Sequence, residues 1–213
     1  VSARGNACRF KPAEKRTRIS PESGETMTTY VVRAQGRVSQ GVSGMNLREG
    51  DHVIGMIVTE DFNTSVLTIS KYGMAKRSRL GSGEMIPLTD EAGSDVRDEE
   101  GEIVNVRDGY RRTNRGTKGV RTMSLRDDDH IVSVRQIPDL EDQLFMLTGS
   151  GMMIRMVSGQ TKETLGKVTK GTRIMELRNA DRTGYVDEIV FVARLPSELV
   201  DPQDAVDEIS EEE

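Results

Sequence analysis

Arginine and lysine side chains recur at matching places along this sequence, and the chemistry they share is the binding of anions. The matching sets are Arg9, Arg77 and Arg155; Arg37, Arg115 and Lys167; and Arg48, Arg126 and Arg178. Guanidinium and ammonium groups bind phosphate through charge and hydrogen bonds. Equivalent positions of successive repeats face the same way, so we expect these residues to line the perimeter of the fold as tracks.

The charge of the chain is unevenly distributed. Its formal net charge is −5, but residues 201–213 contain seven acids and no base. Residues 84–108 contain nine acids and two bases, and the remainder has 28 bases against 19 acids. Clustered basic charge on a β scaffold is typical of a polyanion binder, although a solvated surface could give the same excess. We expect the acidic tail to be disordered and to compete for the basic surface.

Other residues that could do chemistry are better explained by structure. His52 and His130 both lie eleven residues after a repeated glycine, and the same offset in the third repeat is Arg182. The Gly-Lys pair at residues 166–167 lacks the Ser or Thr of a phosphate-binding P-loop. The acids at residues 127–129 are expected in a turn between strands. The sequence therefore predicts neither a catalytic residue nor a metal site.

Two signatures show that the chain is an array of repeats. Gly-x-x-x-Met-x-Leu-Arg-x-x-Asp begins at Gly41, Gly119 and Gly171. Ser/Thr-x-x-Gly-x-x-x-Arg lies upstream of each, with its glycine at Gly5, Gly73 and Gly151. We expect the first three glycines to be structural, at turns that need a positive φ or where a strand passes closely.

The spacing of these signatures separates rigid parts from loops. Gly41 and Gly73 are 32 residues apart, as are Gly119 and Gly151. The other intervals vary between 20 and 46 residues, so insertions fall in one loop of each repeat. A unit of about 50 residues with short apolar runs is the size of a propeller blade.

The apolar runs predict an all-β fold. Residues 66–69 and 144–147 form one set of predicted strands, and residues 53–58, 131–134 and 189–192 form the other. We expect about three antiparallel blades of four strands, at residues 1–62, 63–140 and 141–200, followed by the tail at 201–213. A closed propeller needs about four to eight blades. We therefore expect an incomplete ring and the C-terminal piece of a longer protein.

The repeated motifs resemble a known family. Residues 35–42, 114–120 and 166–171 are similar to the Gly-Arg-x-Thr-x-Gly-Val repeat of the C-terminal domain of the DNA gyrase A subunit, and residues 72–77 to its Gly-Tyr-Gly-Lys-Arg turn. The resemblance implies a β-pinwheel, usually of six blades, in which neighbouring blades exchange a strand. This chain would supply the last three blades.

The resemblance also implies a function. The domain would bind double-stranded DNA on its basic rim and wrap it, within an ATP-dependent type II DNA topoisomerase that introduces negative supercoils. The implied partners are the gyrase B subunit and a second A subunit, with ATP and Mg²⁺ bound by other domains. The implied location is the bacterial cytoplasm, at the nucleoid. A single cysteine, Cys8, and no apolar run of about 20 residues agree with a soluble protein of a reducing compartment.

We expect DNA contacts from the basic residues of the repeats and of the segments beside them. They are Arg9, Arg37, Arg48, Lys76, Arg77, Arg79, Arg111, Arg112, Arg115, Lys118, Arg126, Arg155, Lys167, Lys170 and Arg178.

Two alternatives remain open on the sequence. The family's Gln-Arg-Arg-Gly-Gly-Lys-Gly box is absent, which leaves the related C-terminal domain of the topoisomerase IV A subunit. The chain could instead be a non-enzymatic propeller that docks proteins through the acidic insertion at residues 84–108.

Overall fold

The computed structural model describes residues 1–21, 23–164 and 169–200, and in these ranges the chain is almost entirely β. The predicted all-β fold is confirmed. Two single-turn 3-10 helices, Ser158–Gln160 and Ser197–Leu199, accompany thirteen strands in the described residues. The strands are β1 (Asn6–Ala7), β2 (Lys15–Ile19), β3 (Thr26–Tyr30), β4 (Ser65–Ser70), β5 (Met74–Arg79), β6 (Met85–Pro87), β7 (Asn105–Arg107), β8 (Val120–Arg121), β9 (Ile131–Ile137), β10 (Gln143–Thr148), β11 (Met153–Val157), β12 (Thr172–Arg173) and β13 (Ile189–Leu195).

The second and third repeats form antiparallel sheets on one plan. A hairpin, β4–β5 or β10–β11, turns at the glycine of the Ser/Thr-x-x-Gly signature. The first hairpin strand then pairs on its other edge with a strand from the end of the repeat, β9 or β13. The resulting orders are β12-β5-β4-β9 and β11-β10-β13.

Neighbouring repeats exchange a strand. β12 follows Gly171 of the third repeat but pairs with β5 of the second, with Thr172 opposite Ala75. β8 follows Gly119 of the second repeat and pairs with β1 of the first, with Val120 opposite Ala7. The blade boundaries expected from the sequence are therefore approximate, because each exchanged strand completes the sheet of the preceding repeat.

The core is divided between two interfaces on either side of the central sheet. Leu67 and Ile69 of β4 pack with Leu144 and Met146 of β10 in the larger apolar cluster. Val66 lies on the opposite face of β4 and packs in the smaller one. Successive side chains of a strand point to opposite faces, so β4 is buried on both because a neighbouring blade covers each.

The predicted strand at residues 53–58 does not form. Val53 makes one antiparallel bridge to Ser2, whereas Met56 is 82% exposed. The equivalent strands β9 and β13 pair along the length of β4 and β10, whereas the backbone bonds of residues 52–55 are with residues 1–3. Backbone bonds to that short stretch end at Gly55.

Two hairpins project at the same point of the first and second repeats. The first, β2–β3, pairs Lys15 with Tyr30. The second is the acidic insertion, in which β6 pairs with β7 and the residues between them fold into a compact loop. In this loop Leu88, Val96 and Val104 hydrogen-bond to one another in a ring through their backbones, at 2.8–2.9 Å. We define it as the acidic arm, residues 84–108.

Among the described residues, no helix is both long enough and apolar enough to cross a bilayer.

Candidate nucleic-acid interface

The three Gly-x-x-x-Met-x-Leu-Arg segments are joined to one another in series. The N–H of Asn46 donates to the carbonyl of Thr117 at 2.9 Å, and the N–H of Ser124 donates to the carbonyl of Thr169 at 3.0 Å. These bonds link the first segment to the second and the second to the third at equivalent positions. The segments therefore form one continuous strip across the blades.

Seven arginine and lysine residues of the predicted interface are exposed on or beside this strip, and we call them the basic track. They are Arg37, Arg48, Arg111, Arg112, Lys118, Arg126 and Lys170. A row of exposed bases at repeated positions matches the repeated charge of a phosphate backbone.

The densest part of the basic track lines an open groove of about 480 Å³. Arg111, Arg112 and Lys118 contribute three cations to its wall, and Glu14 contributes one acid. The groove excludes little water, so it suits a charged, hydrated ligand such as a phosphate backbone better than an apolar molecule.

The loop that carries this groove is held in shape by local contacts. Gly116 and Gly119 both have φ +75, a backbone conformation that glycine adopts without strain. Arg115, directly before Gly116, is half-buried and donates to the carbonyls of Val31 and Ser43 at 2.9 and 2.6 Å. Arg115 therefore fixes the loop onto the first repeat, and its guanidinium is engaged within the protein.

Two predicted contact residues, Lys76 and Arg77, lie in the interior. Lys76 is 2% exposed, and its Nζ donates to the carbonyl of Thr122 at 2.7 Å. Arg77 is 8% exposed, and its Nε donates to the carbonyl of Thr161 at 2.8 Å. Expecting these two side chains on the DNA surface was wrong, because both are buried: the Lys76 ammonium bonds the segment after Gly119, and the Arg77 guanidinium bonds the third repeat.

Arg9 repeats this structural role in the first repeat. Its guanidinium donates to the carbonyls of Leu80 and Tyr110 at 3.0 and 2.6 Å and lies 4.9 Å from the centre of the Phe62 ring. Burial lowers the pKa of Arg9. Arg9 and Arg77 each donate to backbone carbonyls in loops that join strands of the next repeat. In the first two repeats, the arginine of the Ser/Thr-x-x-Gly-x-x-x-Arg signature therefore joins neighbouring blades. Arg155, the third member, hydrogen-bonds Gln143 within its own sheet.

Three residues of the predicted DNA interface form ion pairs or hydrogen bonds with other side chains at the surface. A fourth lies outside the described residues. Arg79 pairs with Asp108 at 3.2 Å, and Arg126 donates to the Tyr185 hydroxyl at 2.9 Å. Arg178 pairs with Glu176 at 2.7 Å, which raises the pKa of Arg178. The hydrogen bond from Arg178 lowers the pKa of Glu176 to about 2. Lys167 falls in the range that the structure does not describe.

A cluster that sequence reasoning missed lies beside Arg126. The rings of Tyr72 and Tyr185 stack with centroids 3.9 Å apart, and the Lys71 ammonium lies 4.5 Å from the Tyr72 ring. The tyrosines occupy unrelated offsets in their repeats, which hid their contact. Exposed bases on or beside the first hairpin, Lys11, Lys15 and Arg33, were also missed, although the basic composition of residues 9–37 signalled them.

The acids at residues 127–129 are explained by turn geometry. Asp129 Oδ1 accepts the N–H groups of Tyr72 and His130 at 3.4 and 2.9 Å. Burial lowers the pKa of His130. Within the ranges that the structure describes, no group of three or more His, Cys, Asp and Glu side chains is placed to hold a metal ion.

The same turn corrects the alignment of the third repeat. Asp187 Oδ1 accepts the N–H groups of Ser150 and Glu188 at 3.2 and 2.9 Å, as Asp129 does one repeat earlier. The true counterparts of Asp129 and His130 are thus Asp187 and Glu188. The offset that pointed to Arg182 was wrong because the third repeat has six extra residues in a turn where the N–H of Asn179 donates to the carbonyl of Gly184.

Comparisons with known proteins agree with this architecture. A family model described as the DNA gyrase C-terminal domain, a beta-propeller, matches residues 26–60, 103–138 and 142–183. The DNA gyrase A subunit of Campylobacter jejuni is 31% identical over 83% of this chain, and the match covers 17% of the relative. The DNA gyrase A subunit of Fibrobacter succinogenes is 30% identical over 73% of this chain and 19% of the relative. The chain thus spans less than a fifth of the length of these relatives.

Two solved structures share the fold at low identity. The C-terminal domain of DNA topoisomerase IV superposes with a TM-score of 0.58 at 14% identity, over 99% of this chain and 49% of that one. The E. coli ParC C-terminal domain gives a TM-score of 0.50 at 14% identity, over 92% and 60% of the two chains. At this identity the likeness concerns the fold alone.

Proposed function

This chain belongs to the family of DNA gyrase A C-terminal domains, and from that premise we propose that it binds duplex DNA along the basic track and wraps it. The observation that carries the proposal is that hydrogen bonds join the three repeated segments into one strip. Exposed arginine and lysine side chains lie on or beside each segment of this strip. A row of cations that extends across successive blades can contact phosphates at several points along a duplex.

The binding is expected to depend on charge and not on base sequence. The arginine and lysine side chains of the basic track would contact phosphates and release counterions. Such contacts carry no information about the DNA sequence. Bending a short duplex costs about 1–6 kcal/mol, so several contacts spread along the strip are needed to offset it. Spacing the contacts over successive blades meets that requirement.

Within a longer protein, the wrapped segment would serve a type II topoisomerase. We propose the A subunit of gyrase as that protein, with the B subunit and a second A subunit as its partners in the bacterial cytoplasm. ATP and Mg²⁺ would be bound by those other parts. This chain would contribute the position and handedness of the DNA, which bias strand passage towards negative supercoils.

Two measurements test the proposal. The first titrates the chain into two duplexes of equal length and unrelated sequence at several salt concentrations. Equal affinities are expected, with log K falling linearly against log salt by roughly 0.9 for each phosphate contact. Affinity that does not change with salt would contradict the proposal.

The second measurement tests wrapping separately from binding. A nicked circular plasmid is incubated with the chain, ligated and deproteinised, and its linking number is compared with that of plasmid ligated alone. We expect a shift of one sign that disappears at high salt. Salt-dependent binding without any shift would show a DNA-binding domain that does not wrap, and no binding would favour a protein-docking propeller.

A further inference from the structure

Thr122, which directly follows β8, is 1% exposed and joins three parts of the fold. Its N–H donates to the carbonyl of Gly5 at 2.8 Å, and its carbonyl accepts a hydrogen bond from Lys76 Nζ at 2.7 Å. Its hydroxyl is hydrogen-bonded to the hydroxyl of Tyr110. Thr122 therefore connects the first repeat, β5 and the segment that follows the acidic arm.

A small cavity lies beside Thr122. It is separate from the groove of the basic track, because the two share no described lining residue. The volume of the cavity is about 20 Å³. Because about 10–15 Å³ of such space is enough for one water molecule, the cavity has room for one water molecule or one monatomic ion. A whole phosphate group does not fit in this space.

The residues around this cavity carry more positive than negative charge. Four of the described lining residues are arginine or lysine, and none is an acid; the four are Lys76, Arg79, Arg107 and Arg121. Asp108, next to Arg107, pairs with Arg79 at 3.2 Å and balances one of these charges. The excess of positive charge favours an anion over a cation in the cavity.

Polar side chains form the buried part of the lining. Lys76, Ser78 and Tyr110 are 2%, 9% and 8% exposed. The Tyr110 hydroxyl is hydrogen-bonded to Ser78 and to Thr122, and burial raises the pKa of Tyr110, which keeps the phenol protonated. Each hydroxyl carries one hydrogen, so this chain of hydroxyls can donate one hydrogen beyond those used within it.

These groups match the needs of a buried anion. A charge taken out of water is stabilised only where opposite charge and hydrogen-bond donors replace its hydration. The Lys76 ammonium supplies the charge, and the hydroxyl chain supplies a donor.

The lining of the cavity continues to the protein surface. Arg121 is exposed, and the Arg79 side chain is 48% exposed. An ion can therefore reach the cavity from solvent while the buried part of the lining stays folded.

We propose that this cavity is a binding site for a monatomic inorganic anion of the size of chloride. The anion would lie between Lys76 and the hydroxyl chain of Ser78, Tyr110 and Thr122, and would link β5 to the segment that follows β8. It would thereby stabilise the strand exchange between the first two repeats. None of these residues belongs to the basic track, so the site does not depend on DNA binding.

Three variants separate the cavity from the surface charge of the chain. Lys76→Met keeps an unbranched side chain of similar length and removes the buried charge. Lys11→Met is the matched control, because it removes the same charge from an exposed residue elsewhere in the chain. Ser78→Ala removes one hydroxyl and leaves the Lys76 ammonium in place. It tests the site independently if the substitution of Lys76 prevents folding.

The first measurement is the NMR line width of the chloride signal, which increases when chloride exchanges with a site on the protein. We expect the unmodified chain and Lys11→Met to broaden the signal equally, and Lys76→Met and Ser78→Ala to lose most of this broadening. Added bromide should compete with chloride for the site. Equal broadening by the two lysine variants would overturn the proposal, because it would assign chloride binding to cations at the surface.

The second measurement is thermal melting in sodium chloride and in sodium gluconate at equal ionic strength. Gluconate is too large for the cavity, and an anion that binds only the folded chain raises Tm as its concentration increases. We expect a higher Tm in chloride for the unmodified chain and for Lys11→Met, and no such difference for Lys76→Met. A Tm that is the same in the two salts would overturn the proposal, since a cavity that holds only water gives this result. Neither measurement contains DNA, so a negative outcome leaves the proposed DNA binding unaffected.

Discussion

The side chain of Arg77 donates to the backbone carbonyl of Thr161, and this 2.8 Å bond joins the second repeat to the third. The same guanidinium pairs with Glu163 at 3.1 Å. Arg9 makes the corresponding reach into the second repeat. In the first and second repeats one arginine therefore holds neighbouring blades together, although its type and spacing alone suggest a surface cation.

Replacing Arg77 with alanine is expected to destabilise the fold. The buried carbonyl of Thr161 would lose its donor, at a cost of about 2 kcal/mol or more for a charge-assisted bond. Lys118→Ala, on the exposed strip, should change the free energy of unfolding by less than about 0.5 kcal/mol. Urea denaturation of both variants measures the difference. Equal stability of the two would contradict an interblade role for Arg77.

Gly119→Ala should be more destabilising than Gly101→Ala. Both residues have a positive φ, which costs an L-residue about 1–2 kcal/mol. Only at Gly119 would the new Cβ also meet a backbone carbonyl, that of Ala7 at 2.4 Å. Thermal melting should therefore show a larger fall in Tm for Gly119→Ala. A similar fall in both variants would mean that the exchanged strand shifts without cost.

Neutralising the groove should weaken DNA binding without unfolding the chain. For Arg111→Ala combined with Arg112→Ala, the salt slope should decrease by roughly 0.9 for each phosphate that the variant no longer binds. Arg97→Ala with Lys162→Ala removes the same charge from exposed positions off the basic track. Fluorescence titration at several salt concentrations compares the pairs. Equal losses of affinity would assign the effect to net charge and not to the track.

Protonation of the Asp187 carboxylate is expected to lower the stability of the fold in acid. The hydrogen bond from the Ser150 hydroxyl lowers the pKa of Asp187 to about 2. A depressed folded-state pKa contributes stability above the unfolded value of about 4, and this contribution is lost as the pH falls towards 2. Asp187→Asn should therefore show a smaller decrease in Tm than the unmodified chain between these pH values.

The control for that comparison is Asp127→Asn, which changes an exposed carboxylate in the equivalent region of the preceding repeat. Its Tm should follow the pH dependence of the unmodified chain. If the Asp187 variant does so as well, the turn hydrogen bonds make no contribution through ionisation.

Much of the fold could be predicted because its determinants are local. The repeated glycines mark positive-φ turns, which is confirmed at Gly41, Gly119 and Gly171. Short apolar runs at residues 66–69 and 144–147 predict the strands of two hairpins, which is also confirmed. Turn conformation and strand propensity depend on neighbours in the chain, so both can be recognised without a structure.

The acidic arm shows where a local pattern was present but went unnoticed. Asp-x-x-Gly recurs at residues 90–93 and 98–101, and the two turns bring Leu88, Val96 and Val104 together. The nine acids of residues 84–108 make this short repeat hard to recognise, because several of them lie in its turns. The turn at Asp187 was likewise readable from Asp-Glu-Ile at residues 187–189, which matches Asp-His-Ile at residues 129–131.

By itself, the sequence determined the all-β repeat architecture and the basic character of its surface, because both follow from residue type and spacing. Only the tertiary structure decided which bases face solvent. Arg77 and Lys118 carry the same charge, yet Arg77 lies beneath residues more than eighty positions later in the chain, whereas Lys118 lies on the exposed strip. Burial depends on contacts between distant segments, and those contacts arise only when neighbouring blades exchange strands and pack together.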